Sequence, residues 1–144
     1  MVDVEKTMNF LARVPLFRGL KKRQLERLAR RFVPREYAAG DIIVTQGQGG
    51  EGFFIVVSGK AEAVRQRSDG ASVVVNTFGP TDFFGEMALL DDGLRTASVV
   101  ATEATQCLVL PRWDFLAALR EDVDMAIAIL EELAKRIRMA LDVL

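Results

Sequence analysis

Residues 47–57 read Gly-Gln-Gly-Gly-Glu-Gly-Phe-Phe-Ile-Val-Val, so Gly47, Gly49 and Gly52 spell the G-x-G-x-x-G pattern associated with dinucleotide binding. That pattern holds a pyrophosphate only where a strand precedes it and a helix follows, because the helix N-terminus supplies the anion contact. Here the glycines run into Phe53–Val57, an aromatic and β-branched segment closed by Ser58-Gly59, which reads as a strand. The glycines therefore mark a hairpin loop between Ile42–Val44 and that strand, where positive φ is needed. A phosphate, if the chain binds one, belongs elsewhere.

Short strands separated by turns continue on both sides of the loop: Ile42–Val44, Phe53–Val57, Ala61–Arg67, Ser72–Phe78, Thr96–Ala101 and Gln106–Leu110, with Ser68-Asp69-Gly70 as a hairpin turn. This spacing predicts a β-sandwich or roll. Helices flank it. The first spans Asp3–Arg13, with Val4, Met8 and Leu11 on one face, and Pro15-Leu-Phe-Arg-Gly19 breaks it. A second covers Lys21–Phe32 and places Leu25, Leu28, Ala29 and Phe32 together; Lys22, Arg23, Arg27, Arg30 and Arg31 fall mostly on its other faces. Those cations fit a solvated helix face better than a docking surface for an acidic partner. Arg112–Leu119 forms a short helix after Pro111, and Asp122 or Asp124 caps a long one running to Leu144. No linker, low-complexity tract or internal repeat marks a second domain in the 144 residues.

Composition removes several classes of chemistry. The chain has no histidine, which excludes His-ligated zinc, haem with a proximal histidine, and Ser-His or Cys-His nucleophiles. Its one cysteine, Cys107, lies in the apolar run Cys107-Leu-Val-Leu110; it can form no intramolecular disulfide and is expected as a buried thiol in a cytoplasmic protein. A net charge of -1 gives no basic field for nucleic acid or anionic membrane, and no apolar run approaches the roughly 20 residues of a membrane helix. No metal and no catalytic residue is expected.

One segment does carry chemistry. Phe83–Val99 interrupts the strands with a helical turn, Glu86–Leu90, and re-enters a strand at Thr96. Gly85 lets the backbone turn tightly into that helix, so that free N–H groups of the first turn can face an anion. Arg95 arrives on the returning strand with a planar guanidinium that can make paired hydrogen bonds to a phosphate. Glu86 would repel that phosphate unless aimed at another part of the ligand, and a sugar hydroxyl is the natural donor to it. Anion donors plus one hydroxyl acceptor describe a phosphorylated ribose. Ala88 and Ala97 are small where a ligand could press on backbone, and Leu89 and Leu90 would anchor the turn.

The chain resembles the cyclic nucleotide-binding domains of catabolite-activator-type transcription factors, cyclic-nucleotide-dependent kinase regulatory subunits and cyclic-nucleotide-gated channels. Their phosphate cassette, F-G-E-x-A-L-L, four residues, R-[ST]-A, is matched by Phe84-Gly-Glu-Met-Ala-Leu-Leu90 and Arg95-Thr-Ala97. An upstream signature is met by Gly40-Asp41, Gly47, Phe53–Val57 and Gly59. The resemblance covers nearly the whole chain. It implies a mainly β fold with flanking helices, a double-stranded β-helix (jelly roll) over about 35–110 between N-terminal helices (about 3–32) and C-terminal helices (about 112–144), as one cyclic nucleotide-binding domain.

It further implies a ligand site of Phe84, Gly85, Glu86, Met87, Ala88, Arg95, Thr96 and Ala97. Arg95 pairs with the cyclic phosphate, Glu86 accepts the ribose 2'-hydroxyl, and Gly85 and Ala88 offer main-chain contacts. Cyclic AMP is the expected ligand, while Thr96 leaves cyclic GMP open. Met139, Ala140 and Leu141 fall where relatives place residues that cover the base, and their apolar character suits a lid that encloses the purine without reading its edge.

Along the last helix Ile127, Leu130, Ala134, Ile137, Leu141 and Leu144 form an a/d stripe. A homodimer seam and packing on the chain's own roll would both use it, and both stay open. An enzyme would need metal ligands or a nucleophile with its base. Asp91 and Asp92, the acids nearest the cassette besides Glu86, read as a solvated loop. The expectation is a non-enzymatic sensor. Its output partner is unknown, because no helix-turn-helix follows Leu144 and no catalytic domain is attached; it stands alone or is the sensing part of a longer transcription factor, kinase or channel. A ligand-free dimeric scaffold is the competing reading.

Overall fold

A computed structural model describes residues 3–49, 52–91 and 94–143. The chain divides into two units, 33–112 and the combination of 1–32 with 113–144.

Within 33–112 the described residues form a jelly roll of eight antiparallel strands in two sheets. The strands are β1 (Val33–Tyr37), β2 (Ile42–Val44), β3 (Gly52–Ser58), β4 (Ala61–Gln66), β5 (Ser72–Phe78), β6 (Phe83–Phe84), β7 (Ser98–Ala101) and β8 (Thr105–Pro111). One sheet has the order β1-β8-β3-β6 and the other β2-β7-β4-β5. Ile43 and Val44, Phe54 and Val56, Ala61 and Ala63, Val99 and Ala101, and Cys107 and Val109 come from strands of both sheets and make one buried cluster. Burial pushes the Cys107 thiol up to about 11, which leaves it protonated and unreactive.

The strand expected at Phe53–Val57 is present, but the glycines before it do not close the expected hairpin: β2 pairs with β7 in one sheet and β3 with β8 and β6 in the other, so the loop crosses between sheets. Phe53, Phe54, Ile55 and Val56 are all buried, as a continuous apolar strand between two neighbours should be. Gly52 opens β3 opposite Pro111, and a Cβ there would run into the Leu110 carbonyl, so only glycine lets β3 approach β8.

The elements depart from the sequence reading in several places, and two strands, β1 and β6, were not among those expected. β1 is absent from the expected strands, because it opens Val33-Pro34 and continues through two charged residues. Among the described residues it is an edge strand, bonded to β8 alone, and an edge tolerates a proline that lacks its N–H. The helix expected over Lys21–Phe32 accordingly stops at Ala29. The cassette turn is a 3₁₀ turn over Glu86–Leu89, and the strand after it begins at Ser98 rather than Thr96.

The other unit is helical: α1 (Val4–Ala12), a 3₁₀ turn at Pro15–Phe17, α2 (Lys22–Ala29), α3 (Arg112–Glu121) and α4 (Val123–Asp142). Leu11, Leu16, Phe17, Leu28, Phe115, Met125 and Ile129 are buried, with the Phe17 and Phe115 rings 6.2 Å apart. Asp122, not Asp124, caps α4, accepting the Met125 N–H at 3.2 Å. The same carboxylate receives the Gln24 amide of α2 at 3.3 Å, while Gln24 Oε1 accepts the Lys21 N–H at 2.8 Å. One buried glutamine thus ties the starts of α2 and α4 together. Of the basic residues on α2 and just after it, Arg27, Arg30 and Arg31 stand within 4 Å of Asp122, Glu26, and Asp114 with Glu121, respectively. Among the described residues no helix is long and apolar enough to cross a membrane.

Candidate functional site

The cassette begins where β6 pairs with β3, placing Phe84 opposite Phe54 with their rings stacked at 4.9 Å. Phe78 packs on Phe84 from β5, also at 4.9 Å. This aromatic anchor fixes the point at which the chain leaves the sheet. The next residue, Gly85, has φ 86°, the left-handed region that a side chain disfavours, and it starts the 3₁₀ turn. The Ala88 N–H donates to the Gly85 carbonyl at 3.0 Å, and Leu89 is fully buried beneath the turn.

Arg95 is held at both ends of its backbone by the glycine loop. Its N–H donates to the Gln48 carbonyl at 2.9 Å, and its own carbonyl accepts the Gly47 N–H at 2.8 Å. Gly49 bridges to Leu94 in the same antiparallel sense. The side chain is gripped too: Nη2 donates to the Gly52 carbonyl at 2.8 Å. A Cβ on Gly85 would stand 2.7 Å from Arg95 Nη1 and 2.7 Å from that same carbonyl oxygen, so the guanidinium lies directly against the bare α-carbon of Gly85. The glycines of the false dinucleotide pattern therefore do serve the site, as the frame that positions its arginine.

Around this pair lies an open depression of about 460 Å³ lined by Gly85, Glu86, Met87, Ala88, Asp91, Leu94, Arg95 and Thr96. Arg95, Gly85 and Glu86 are half-buried, whereas Met87 and Thr96 are exposed. A half-buried guanidinium beside a glycine turn suits an anion that accepts two hydrogen bonds, and the Glu86 carboxylate supplies an acceptor for a hydroxyl. Phe84 and Ala97, both expected at the site, do not line the depression: Phe84 is buried among aromatic rings and Ala97 packs against the buried cluster. Met139, Ala140 and Leu141 lie exposed on the last turns of α4. Asp91 and Leu94 line the depression without having been expected there, and Asp92 is outside the described residues. No group of three or more ligating side chains among the described residues could hold a metal ion.

Comparison with known proteins supplies the family. The family model described as cyclic nucleotide-binding domain matches residues 34–122. The chain belongs to the cyclic nucleotide-binding domain family. A cyclic AMP receptor protein of Thermus thermophilus is 39% identical over 126 residues, which cover 88% of this chain and 58% of that protein. A cAMP-dependent protein kinase regulatory subunit of Mycosarcoma maydis is 41% identical over 96 residues, 67% of this chain and 18% of the relative. This cyclic nucleotide-binding domain thus spans little more than half the length of the first relative and a fifth or less of the second. Among solved structures, the N-terminal domain of a transcriptional regulator from Streptomyces coelicolor A3(2) superposes with a TM-score of 0.84 at 31% identity, over 92% of this chain and 95% of that one.

Proposed function

We propose that this chain is one cyclic nucleotide-binding domain, with cyclic AMP as its first ligand, and that it works as a cytoplasmic sensor and not as an enzyme. The observation that carries the reading is the Arg95 guanidinium laid against the α-carbon of Gly85, both of which line the depression. The cyclic phosphate binds there, the ribose 2'-hydroxyl donates to Glu86, and Ala88 and Thr96 border the ligand. Phe84 and Ala97 act from behind, fixing the two ends of the cassette. Cyclic AMP is supported by the Thermus and Mycosarcoma relatives, whose names specify it. The ligand-free scaffold has less in its favour, since the arginine and the glutamate both reach one depression.

A phosphate that engages both Nη groups shares Nη2, which carries two N–H donors, with the Gly52 carbonyl, so the bound arginine stays tied to the first residue of β3. The cassette then tightens, Leu89 and Leu90 move with it, and Met139, Ala140 and Leu141 at the end of α4 close over the base. This requires tighter binding to the closed arrangement than to the open one. Amide exchange over 123–144, slowed by ligand, would support the closure; equal protection would remove it. The a/d stripe supports a homodimer through α4, because Ile127, Leu130, Ile137 and Leu141 are exposed by 46–63%. The output passes to a partner protein or a further domain.

Calorimetric titration of the wild type and Arg95→Ala with cyclic AMP tests the assignment. Removing the charged partner of a bound phosphate should cost about 2–5 kcal/mol, or about 30-fold to several thousand-fold in affinity. An unchanged affinity would take Arg95 out of the site.

A further inference from the structure

We propose that Gln46, which does not line the depression, is a positioning residue: it fastens the glycine loop to β4 and so holds Arg95 ready for the phosphate. The inference rests on the cyclic nucleotide reading of the cleft and deepens it. Gln46 stands between the end of β2 and Gly47, and its N–H donates to Ser98 Oγ at 2.8 Å. Its side-chain amide lies along the main chain of Gln66, the last residue of β4: Oε1 accepts the Gln66 N–H at 2.7 Å, and Nε2 donates to the Gln66 carbonyl at 3.2 Å. β7 separates β2 from β4 in the sheet, but its pairing with β4 ends where Ser98 meets Val64. Beyond that point the Gln46 amide takes the place of a strand, offering one acceptor and one donor as a neighbouring peptide group would.

The next residue begins the clamp on Arg95. The Gly47 N–H donates to the Arg95 carbonyl at 2.8 Å, and the Arg95 N–H donates to the Gln48 carbonyl at 2.9 Å. Gly47, Gln48 and Gly49 are exposed, and Gly47 has φ 83°. A glycine-rich segment has the most backbone freedom to lose, so a loop of this kind needs an anchor outside itself. Gln46 is half-buried and makes three hydrogen bonds, which fix the point from which the loop departs. The loop in turn fixes the Arg95 backbone. A donor set in place before its ligand arrives loses less freedom on binding, and that difference appears as affinity.

Gln46→Leu keeps the bulk and removes both side-chain bonds. Two measurements on it test the inference: amide hydrogen exchange of the free protein, and calorimetric titration with cyclic AMP in the wild-type and Arg95→Ala backgrounds. The Gly47 and Arg95 amides should exchange about tenfold faster or more, while those of β3 and β8 keep their rates. Affinity for cyclic AMP should fall by about threefold to tenfold. Once Arg95 is alanine the same substitution should change it by about twofold or less, because residues that act through one contact do not add. Ser98→Ala, which releases the Gln46 N–H, should move both readouts in the same direction, and it carries the test if the leucine variant fails to fold. Unchanged exchange at Gly47 and Arg95, faster exchange throughout the roll, unchanged affinity, or an equal loss in both backgrounds would each overturn the inference. A wild type that binds no cyclic nucleotide would overturn the reading of the cleft instead, and the exchange rates of the free protein would still decide whether Gln46 anchors the loop.

Discussion

Gly85 and Arg95 occupy one another's space: the guanidinium sits where a side chain on residue 85 would have to go, while donating to Gly52 at 2.8 Å. Two demands meet at Gly85, a left-handed φ of 86° and the absence of a Cβ. Gly85→Ala should therefore cost about 1–3 kcal/mol in backbone strain and also displace Arg95. Cyclic AMP affinity should fall by about tenfold or more, because misplacing a charged partner loses most of a paired hydrogen bond. Melting and titration of the same variant separate the two effects.

Thr81 is the mirror case. It is a β-branched residue with φ 77° in the turn between β5 and β6, its N–H donating to the Val56 carbonyl at 2.9 Å. Left-handed backbone is costly for such a side chain, and glycine adopts it without a clash. Thr81→Gly keeps the N–H and relieves the strain, and even after the extra entropy of an unfolded glycine it should stabilise by about 1 kcal/mol, raising Tm by about 2–4 °C. An unchanged or lower Tm would show that the turn holds threonine without strain.

The cap of α4 sets an acid limit on the helical unit. Burial alone would raise the Asp122 pKa, but the Met125 N–H, the Gln24 amide and the charges of Arg23 and Arg27 together hold it below its ordinary 3.8. A carboxylate with a lowered folded pKa contributes fully above its unfolded value, and that contribution fades as pH falls through the folded value. Asp122→Asn should melt lower than wild type at pH 7, with the gap narrowing below about pH 4. Thermal melts across that range measure it, and a gap independent of pH would assign the cap to shape and not to charge.

Along α4, one face is occupied and another is not. Met125, Ile129 and Glu132 are buried, and a Cβ on Gly19 would lie 3.6 Å from the Ala128 Cβ. Ile127, Leu130, Ile137 and Leu141 remain exposed, with Ala134 between them. An a/d seam exposed at these described positions favours pairing with a second copy. Sedimentation should show a concentration-dependent dimer for the wild type and a monomer for Leu130→Glu/Ile137→Glu, because a charge at each seam position is desolvated without a partner. A wild type that stays monomeric at high concentration would leave the stripe to another partner.

The grouping of the cassette residues was legible because its parts are close in sequence and their types are restrictive. Gly85, Glu86 and Arg95 lie within a dozen residues, and few ligands need an anion cradle, a hydroxyl acceptor and a paired donor together. Phe53–Val57 likewise read as a strand from its side chains alone, and the absence of histidine excluded whole families of reactions. β1 was hidden because Pro34 and the charges beside it are strand signals only at a sheet edge, and an edge is a property of the assembled sheet.

Local order of residues determined most of the strands, the turn at Gly85 and the charges available to a ligand. Tertiary structure alone decided that Arg95 is steadied by the carbonyl of Gly52, 43 residues earlier, that Gln48 and Gly47 clamp its backbone, and that Arg65 reaches Thr96 across a strand pair. Strand register brings such groups together, and register depends on which distant segments pair; a backbone carbonyl, moreover, is the same in every residue and leaves no mark in the sequence.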